Sequence, residues 1–187
     1  KADAMLAEAT AQTNELVNEH EIMQKAYAHA NEVIEQAKAA LCNGATIVTD
    51  TNMALSGISK PSLTKLGAKA LCLMADPDIA REAKERGVTR AVVSMEHAAR
   101  LDGPLIFAVG NAPTALIRLH ELIGKDEVKP ALVIGVPVGF VNVVEAKELF
   151  IGGKTPYIIA RGRKGGSNVA AAIVNALLYQ LIRREGF

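Results

Sequence analysis

The sequence predicts an α/β fold: a mostly parallel, doubly wound sheet with helices on both faces, preceded by an N-terminal helical segment. Three observations carry this. Five short apolar runs follow Gly44, and stretches of helical character lie between them, so strand and helix alternate. The runs lack the polar–apolar alternation of a half-exposed strand, which suits strands covered on both faces. Residues 2–41 contain neither Gly nor Pro and are rich in Ala, Glu, Gln and Lys, the composition of helix.

In chain order, Leu6, Ala9, Thr13, Leu16 and Val17 make one apolar stripe at helical spacing. Val33, Ile34, Ala37, Ala40 and Leu41 make a second before Gly44, so the chain opens with two helices or one long one. Strands are expected at TIV (46–48), AKALCLM (68–74), PLIFAVG (104–110), ALVIGV (131–136) and PYIIA (156–160). Helices are expected over 78–85, 90–100, 114–123, 144–149 and 168–184. A chain of 187 residues is one domain's length, so residues 1–187 are read as a single α/β domain with a helical segment at 1–43 and a sheet-and-helix core at 44–187.

Composition excludes several function classes. No run of about 18 apolar residues occurs, which argues against a membrane span. Lys and Arg number 21 against 20 Asp and Glu, a net charge of +1 that gives no global pull toward nucleic acid or an anionic membrane. Cys42 and Cys72 sit among apolar neighbours without C-x-x-C spacing, and no signal peptide precedes them. They read as two core thiols of a cytoplasmic protein. His20, His29, His97 and His120 show no metal-ligand spacing, so no metal is expected. Neither a G-x-S-x-G elbow nor a Cys–His signature is present.

In doubly wound sheets the loops leaving the carboxyl ends of the strands line the ligand crevice. Here those loops are TDTNMALSG (49–57), GNAPTAL (110–116), GVPVGFVN (135–142) and ARGRKGGSN (160–168), each mixing Gly or Pro with small polar residues. In GNAPTAL, Gly110 permits a sharp turn or close approach, Asn111 can cap, and Pro113 suits a first helical turn. A helix opening there would point free N–H groups at the crevice, a place for carboxylate or phosphate. RGRKGGS joins Arg161, Arg163 and Lys164 to three glycines, with Ser167 or Asn168 as a helix cap, and reads as an anion clamp. Asp50 ends a strand, where it can meet substrate, orient a loop or cap. Arg90 lies near a helix start, where the dipole disfavours a cation, so an anionic partner or a surface ion pair would account for it.

Taken together, DTNMALSGI (50–58), VGNAPTAL (109–116), GVPVGFVNVVEAKE (135–148) and ARGRKGGSNVAAAIVNAL (160–177) resemble the precorrin-8X methylmutase family of cobalamin biosynthesis. The resemblance implies a cytoplasmic homodimeric isomerase that moves a methyl group from C11 to C12 of a corrin precursor, giving hydrogenobyrinate or its cobalt form, with no cofactor consumed. It also implies that Asn111 and Thr114 donate to the macrocycle's edge, that Arg161, Arg163 and Lys164 meet its carboxylates, and that Arg90 and Ser59 approach it. Residues 1–43 depart from the family in having no Arg-x-x-His segment, the family's proposed general acid. The nearest candidate is His20 in VNEHEIM, with His29 behind it. Two other readings stay open at this point: a corrinoid-binding relative without the catalytic histidine, and a dinucleotide- or phosphosugar-binding enzyme resting only on generic turns.

Overall fold

The computed structural model describes the backbone of residues 2–182 and the side chains of residues 13–182. The chain divides into two compact units, residues 1–35 and 36–187. The first unit is the greater part of one uninterrupted helix, α1 (Ala2–Cys42), so the single-helix alternative holds. Of its first stripe, Leu6 and Ala9 lie outside the described side chains, while Leu16 and Val17 are 66% and 53% exposed.

The second unit holds the sheet. Its strands are β1 (Thr46–Thr49), β2 (Lys69–Leu71), β3 (Leu105–Val109), β4 (Leu132–Gly135) and β5 (Tyr157–Ile159), all parallel, in the order β2-β1-β3-β4-β5. Each falls within or beside a run expected to be a strand, and the central ones are apolar because both faces are covered: all of β3 and β4 is buried. Val48 of β1 stands beside Leu71 of β2 and Phe107 of β3, and Val109 stands beside Gly135 of β4.

The helices are α2 (Asn52–Gly57), α3 (Lys60–Leu66), α4 (Pro77–Arg86), α5 (Arg90–Ala98), α6 (Pro113–Gly124), α7 (Val143–Glu148) and α8 (Ser167–Leu181). Right-handed crossovers put the β1–β2 connection on one face and the later connections on the other. The packing agrees: α8 lies against α2 and α3, while α4, α5, α6 and α7 pack in series. The expected end of the last helix at Arg184 lies outside the described residues. Two expectations need correction. The stretch read as the loop TDTNMALSG contains α2, and α3 follows it, neither with an apolar stripe to betray it. The cysteines are free but not core thiols, since Cys42 is exposed in the last turn of α1 and Cys72 is half-buried just past β2.

One charged cluster ties three helices together. Glu96 of α5 is buried, with Arg86 Nη2 of α4 donating to its Oε1 at 2.9 Å. Arg118 Nε of α6 is 2.8 Å from the same oxygen, an ion-pair contact without the alignment of a hydrogen bond. The hydrogen bonds from Arg86 hold the Glu96 carboxyl below its ordinary range, against the opposing effect of burial. A depressed folded-state pKa gives stability that is full above the unfolded value and lost as pH falls through the folded one. Thermal melts of Glu96→Gln should therefore show lower stability near neutrality and a shallower loss on acidification than wild type; parallel pH profiles would remove Glu96 as an acid-sensitive tie.

Candidate active site

The strand order changes direction between β1 and β3, and in sheets of this order the ligand crevice opens outside the carboxyl ends at that point. Asp50 follows β1 there and Gly110 follows β3. Asp50 is fully buried, and its carboxylate accepts three backbone N–H groups: Gly110 on Oδ1 at 2.9 Å, then Asn111 and Ala112 on Oδ2 at 2.7 and 2.6 Å. The amides of the turn that leads into α6, Gly110 to its N-cap Ala112, are thus filled from within the chain. Of the roles open to Asp50, loop orientation is the one its contacts display. Burial pushes its carboxyl up, while the amides of Gly110, Ala112 and Asn111 pull it back down.

Glycine at 110 is needed for close approach. A Cβ there would lie 2.6 Å from Ser167 Cα and 2.8 Å from Gly166 O, so the start of α8 sits directly on the β3 turn. Ser167 is nearly buried at this junction, and its Oγ lies 2.8 Å from Thr51 Oγ1, which also caps α2 by accepting from Ala54 N. Four stretches distant in sequence therefore meet: Asp50–Thr51, Gly110–Ala112, Gly166–Ser167, and, through Gly166 N donating to Val136 O at 2.8 Å, the loop after β4.

Around this junction the cations differ in their commitments. Arg161 is exposed and forms a two-pronged pair with Glu148 of α7, Nε and Nη2 each 2.9 Å from a carboxylate oxygen. That pairing holds Glu148 below the usual carboxylate range and Arg161 above its own ordinary value. Arg163 lies with its guanidinium carbon 5.5 Å from the ring centre of Phe140, a cation–π contact that links the β5 and β4 loops. Lys164 is exposed, and neither it nor Arg163 has a carboxylate partner among the described residues. Arg90 opens α5, exposed and without an ion-pair partner among the described residues. Beside it Thr89 Oγ1 is 3.2 Å from Thr114 Oγ1, so Arg90 and Thr114 share the edge where α5 and α6 begin. Asn111 is exposed at the turn that Asp50 organises.

Ser59 stands apart from that junction. It occupies the N-cap position of α3, its N–H donating to Asn175 Oδ1 at 2.8 Å and its Oγ lying 2.9 Å from Ser62 Oγ rather than on a helix amide. Asn175 lies about 12 Å along α8 from Ser167 at the usual rise per residue. His20 is exposed on α1 in the first unit, its Nε2 2.8 Å from Gln24 Nε2.

Sequence reasoning missed Lys147. It sits on α7 with no exposed surface, its ammonium donating to Gly162 O at 2.8 Å and Lys164 O at 2.9 Å. Nothing in VVEAKE marks this lysine as buried; the alternation of glycine and cation in the loop it holds was the only available signal.

The family model for precorrin-8X methylmutase matches residues 18–180, a stretch that takes in every loop just described. The chain belongs to the precorrin-8X methylmutase family. It is 47% identical over 151 residues to the cobalt-precorrin-8 methylmutase of Salmonella typhimurium, covering 80% of this chain and 70% of that protein. It is 42% identical over 143 residues to the precorrin-8X methylmutase of Pseudomonas aeruginosa, covering 75% and 68%. A solved precorrin-8X methylmutase from Thermus thermophilus superposes with a TM-score of 0.70 at 37% identity, over 78% of this chain and 71% of that one. Both forms of the name, with and without cobalt, thus occur among the methylmutases that this chain resembles. The matched stretch of the methylmutase model begins ahead of His20, so His20 and His29 both fall inside it. No helix among the described residues is long and apolar enough to cross a membrane.

Proposed function

We propose that this chain is an isomerase of cobalamin biosynthesis that moves a methyl group from C11 to C12 of precorrin-8, or of its cobalt form, giving hydrogenobyrinate or cobalt hydrogenobyrinate. The observation that carries the proposal is the methylmutase match over residues 18–180, a stretch that includes all four loops gathered at the carboxyl end of the sheet.

The chemistry of those loops suits the substrate. A corrin precursor has broad apolar faces and a rim of acetate and propionate carboxylates, so it calls for cations and N–H donors around an apolar floor. Arg163 and Lys164 offer charge not already paired with a carboxylate among the described residues, and Arg161 can exchange Glu148 for a substrate carboxylate. Arg90 and Thr114 offer a second cation and a hydroxyl on one edge; Asn111 and Ser167 add polar contacts at the centre. Asp50 serves the substrate by holding the β3 turn, and Ser59 contributes from the α3 end of α8. His20 is the general acid: it lends a proton to the ring as the methyl migrates, and the ring gives a proton back as its double bonds settle, so substrate and product have the same composition. The reaction is an isomerisation, so its atoms balance without a cofactor.

The active form is a cytoplasmic homodimer that does not engage nucleic acid. For the homodimer the support is the pair Phe140 and Val141, 82% and 77% exposed in the loop after β4, an apolar surface that one chain leaves bare.

The test is the visible spectrum of the protein with precorrin-8, followed over time. Progress to the hydrogenobyrinate spectrum supports the isomerase; a prompt shift that then stays fixed would mean binding without catalysis and would defeat it. Within the rim, Arg163→Ala should weaken hydrogenobyrinate binding by about 1.5–3 kcal/mol, the usual worth of a charged hydrogen bond. Arg161→Ala should cost less, because Glu148 already competes for that guanidinium. Equal affinities for both variants and wild type would return the loop to a solvated run of charge.

A further inference from the structure

We infer that Lys147 is a positioning residue for this site: its ammonium fixes the loop from Gly162 to Gly166 so that the N–H groups of Arg163 and Gly165 face away from α7, as donors to a substrate carboxylate. The inference rests on the reading of that loop as part of the corrinoid site, and it assigns the orienting role to a side chain that does not touch the substrate.

A fully buried lysine is unfavourable unless its protons are taken up, and Lys147 has no carboxylate within ion-pair distance among the described residues. Its neighbour Glu148 is engaged by Arg161. The ammonium instead spends two of its protons on one loop, at the carbonyls of Gly162 and Lys164.

Those two carbonyls belong to alternate peptide units, and both units are trans. In a planar trans peptide the C=O and the following N–H point in opposite directions. Drawing the carbonyls of Gly162 and Lys164 onto Lys147 therefore turns the N–H groups of Arg163 and Gly165 outward. Neither N–H has a hydrogen-bond partner among the described residues. The intervening carbonyl, of Arg163, accepts from Gly139 N at 3.3 Å, and Gly166 N donates to Val136 O at 2.8 Å, so the loop is fastened on its remaining side by the β4 connection. Gly162 adopts φ +76°, a left-handed conformation that a side chain would disfavour.

The outcome is a loop in which the carbonyl oxygens of Gly162 and Lys164 are drawn onto α7, away from the side that the N–H groups of Arg163 and Gly165 face. That side carries two amides, and the exposed cations Arg163 and Lys164 belong to the same short loop. Without the ammonium, the two carbonyls have no donor and the loop can turn them toward the substrate's own carboxylates. Burial pushes the Lys147 pKa down, which is the cost that its two carbonyl contacts have to offset.

The test compares wild type with Lys147→Met, which keeps length and apolar bulk but removes the charge, and with Lys147→Gln, a neutral donor. Hydrogenobyrinate is titrated by visible spectroscopy, precorrin-8 turnover gives kcat and KM, and hydrogen exchange of the peptide covering residues 162–166 is followed without ligand. If the loop is competent about a tenth of the time without its clamp, Kd and KM for Lys147→Met rise roughly tenfold while kcat is unchanged, because affinity scales with the competent fraction. Loop exchange should rise in step, with Lys147→Gln intermediate on both measures. Wild-type Kd in either variant overturns the inference while leaving the corrinoid reading intact. So does weakened binding with unaltered loop exchange. Failure of wild type to bind hydrogenobyrinate overturns the reading beneath it and the inference with it. Should Lys147→Met not fold, Lys147→Gln alone decides by the same criteria.

Discussion

Asp50→Asn is expected to lower the melting temperature by about 3–16 °C and to weaken corrinoid binding at the same time. The carboxylate accepts three N–H groups on two oxygens, and an amide has only one oxygen to offer them. Whichever way the Asn side chain turns, its own NH2 faces at least one backbone donor. A buried donor left unsatisfied costs about 1–3 kcal/mol. Removing a negative charge from the start of α6 adds about 0.3–1 kcal/mol. For a chain of this size each kcal/mol moves the melting temperature by about 2–4 °C. Binding falls with stability because Gly110, held by Asp50, is the residue against which Gly166 and Ser167 pack. Calorimetry of the variant checks this; a melting temperature within about 2 °C of wild type, less than 1 kcal/mol on the same scale, would mean that the three hydrogen bonds do not organise the junction.

His20→Ala should reduce turnover by about a hundredfold to ten-thousandfold, the usual worth of a positioned general acid. Hydrogenobyrinate affinity should stay near that of wild type. The separation of the two effects is the point of the experiment, since a proton donor acts on the reaction rather than on the product's rim. Within the segment ahead of β1 that the methylmutase model matches, His20 and His29 are the two histidines, and His29→Ala is the internal control. Single-turnover rates with precorrin-8 decide it. An unchanged rate in His20→Ala removes His20 from the mechanism, and a loss confined to His29→Ala transfers the role.

The sheet was legible in the sequence because burial on both faces leaves a plain record: LIFAV and LVIG are apolar throughout, and every residue of both is buried. The later helices were legible from their stripes. α2 and α3 were not, because short helices with few buried positions carry no period: only Ala54 is buried in α2, and only Ser62 and Leu63 in α3. Gly57, which reads as a loop residue, is the last residue of α2, where a Cβ would meet Ala171 Cβ of α8 at 2.9 Å. The site was legible as a set of loops and illegible as a set of commitments. That Asp50 would fill the amides of a turn 60 residues away depends on strand order, which residue types alone do not give. Lys147 failed to register for a related reason, since a lysine in VVEAKE looks solvated until a loop 15–17 residues downstream folds over it. Arg161, which the spacing groups with Arg163 and Lys164, differs from both in its pairing with Glu148.

The most direct test of the central claim uses precorrin-8 carrying 13C in its C11 methyl group, incubated with the purified protein and read by carbon NMR. The account predicts that the labelled signal leaves C11 and appears at C12 with full retention of label and no added cofactor. A labelled methyl group that remains at C11, in a substrate that binds and is recovered unchanged, would contradict it.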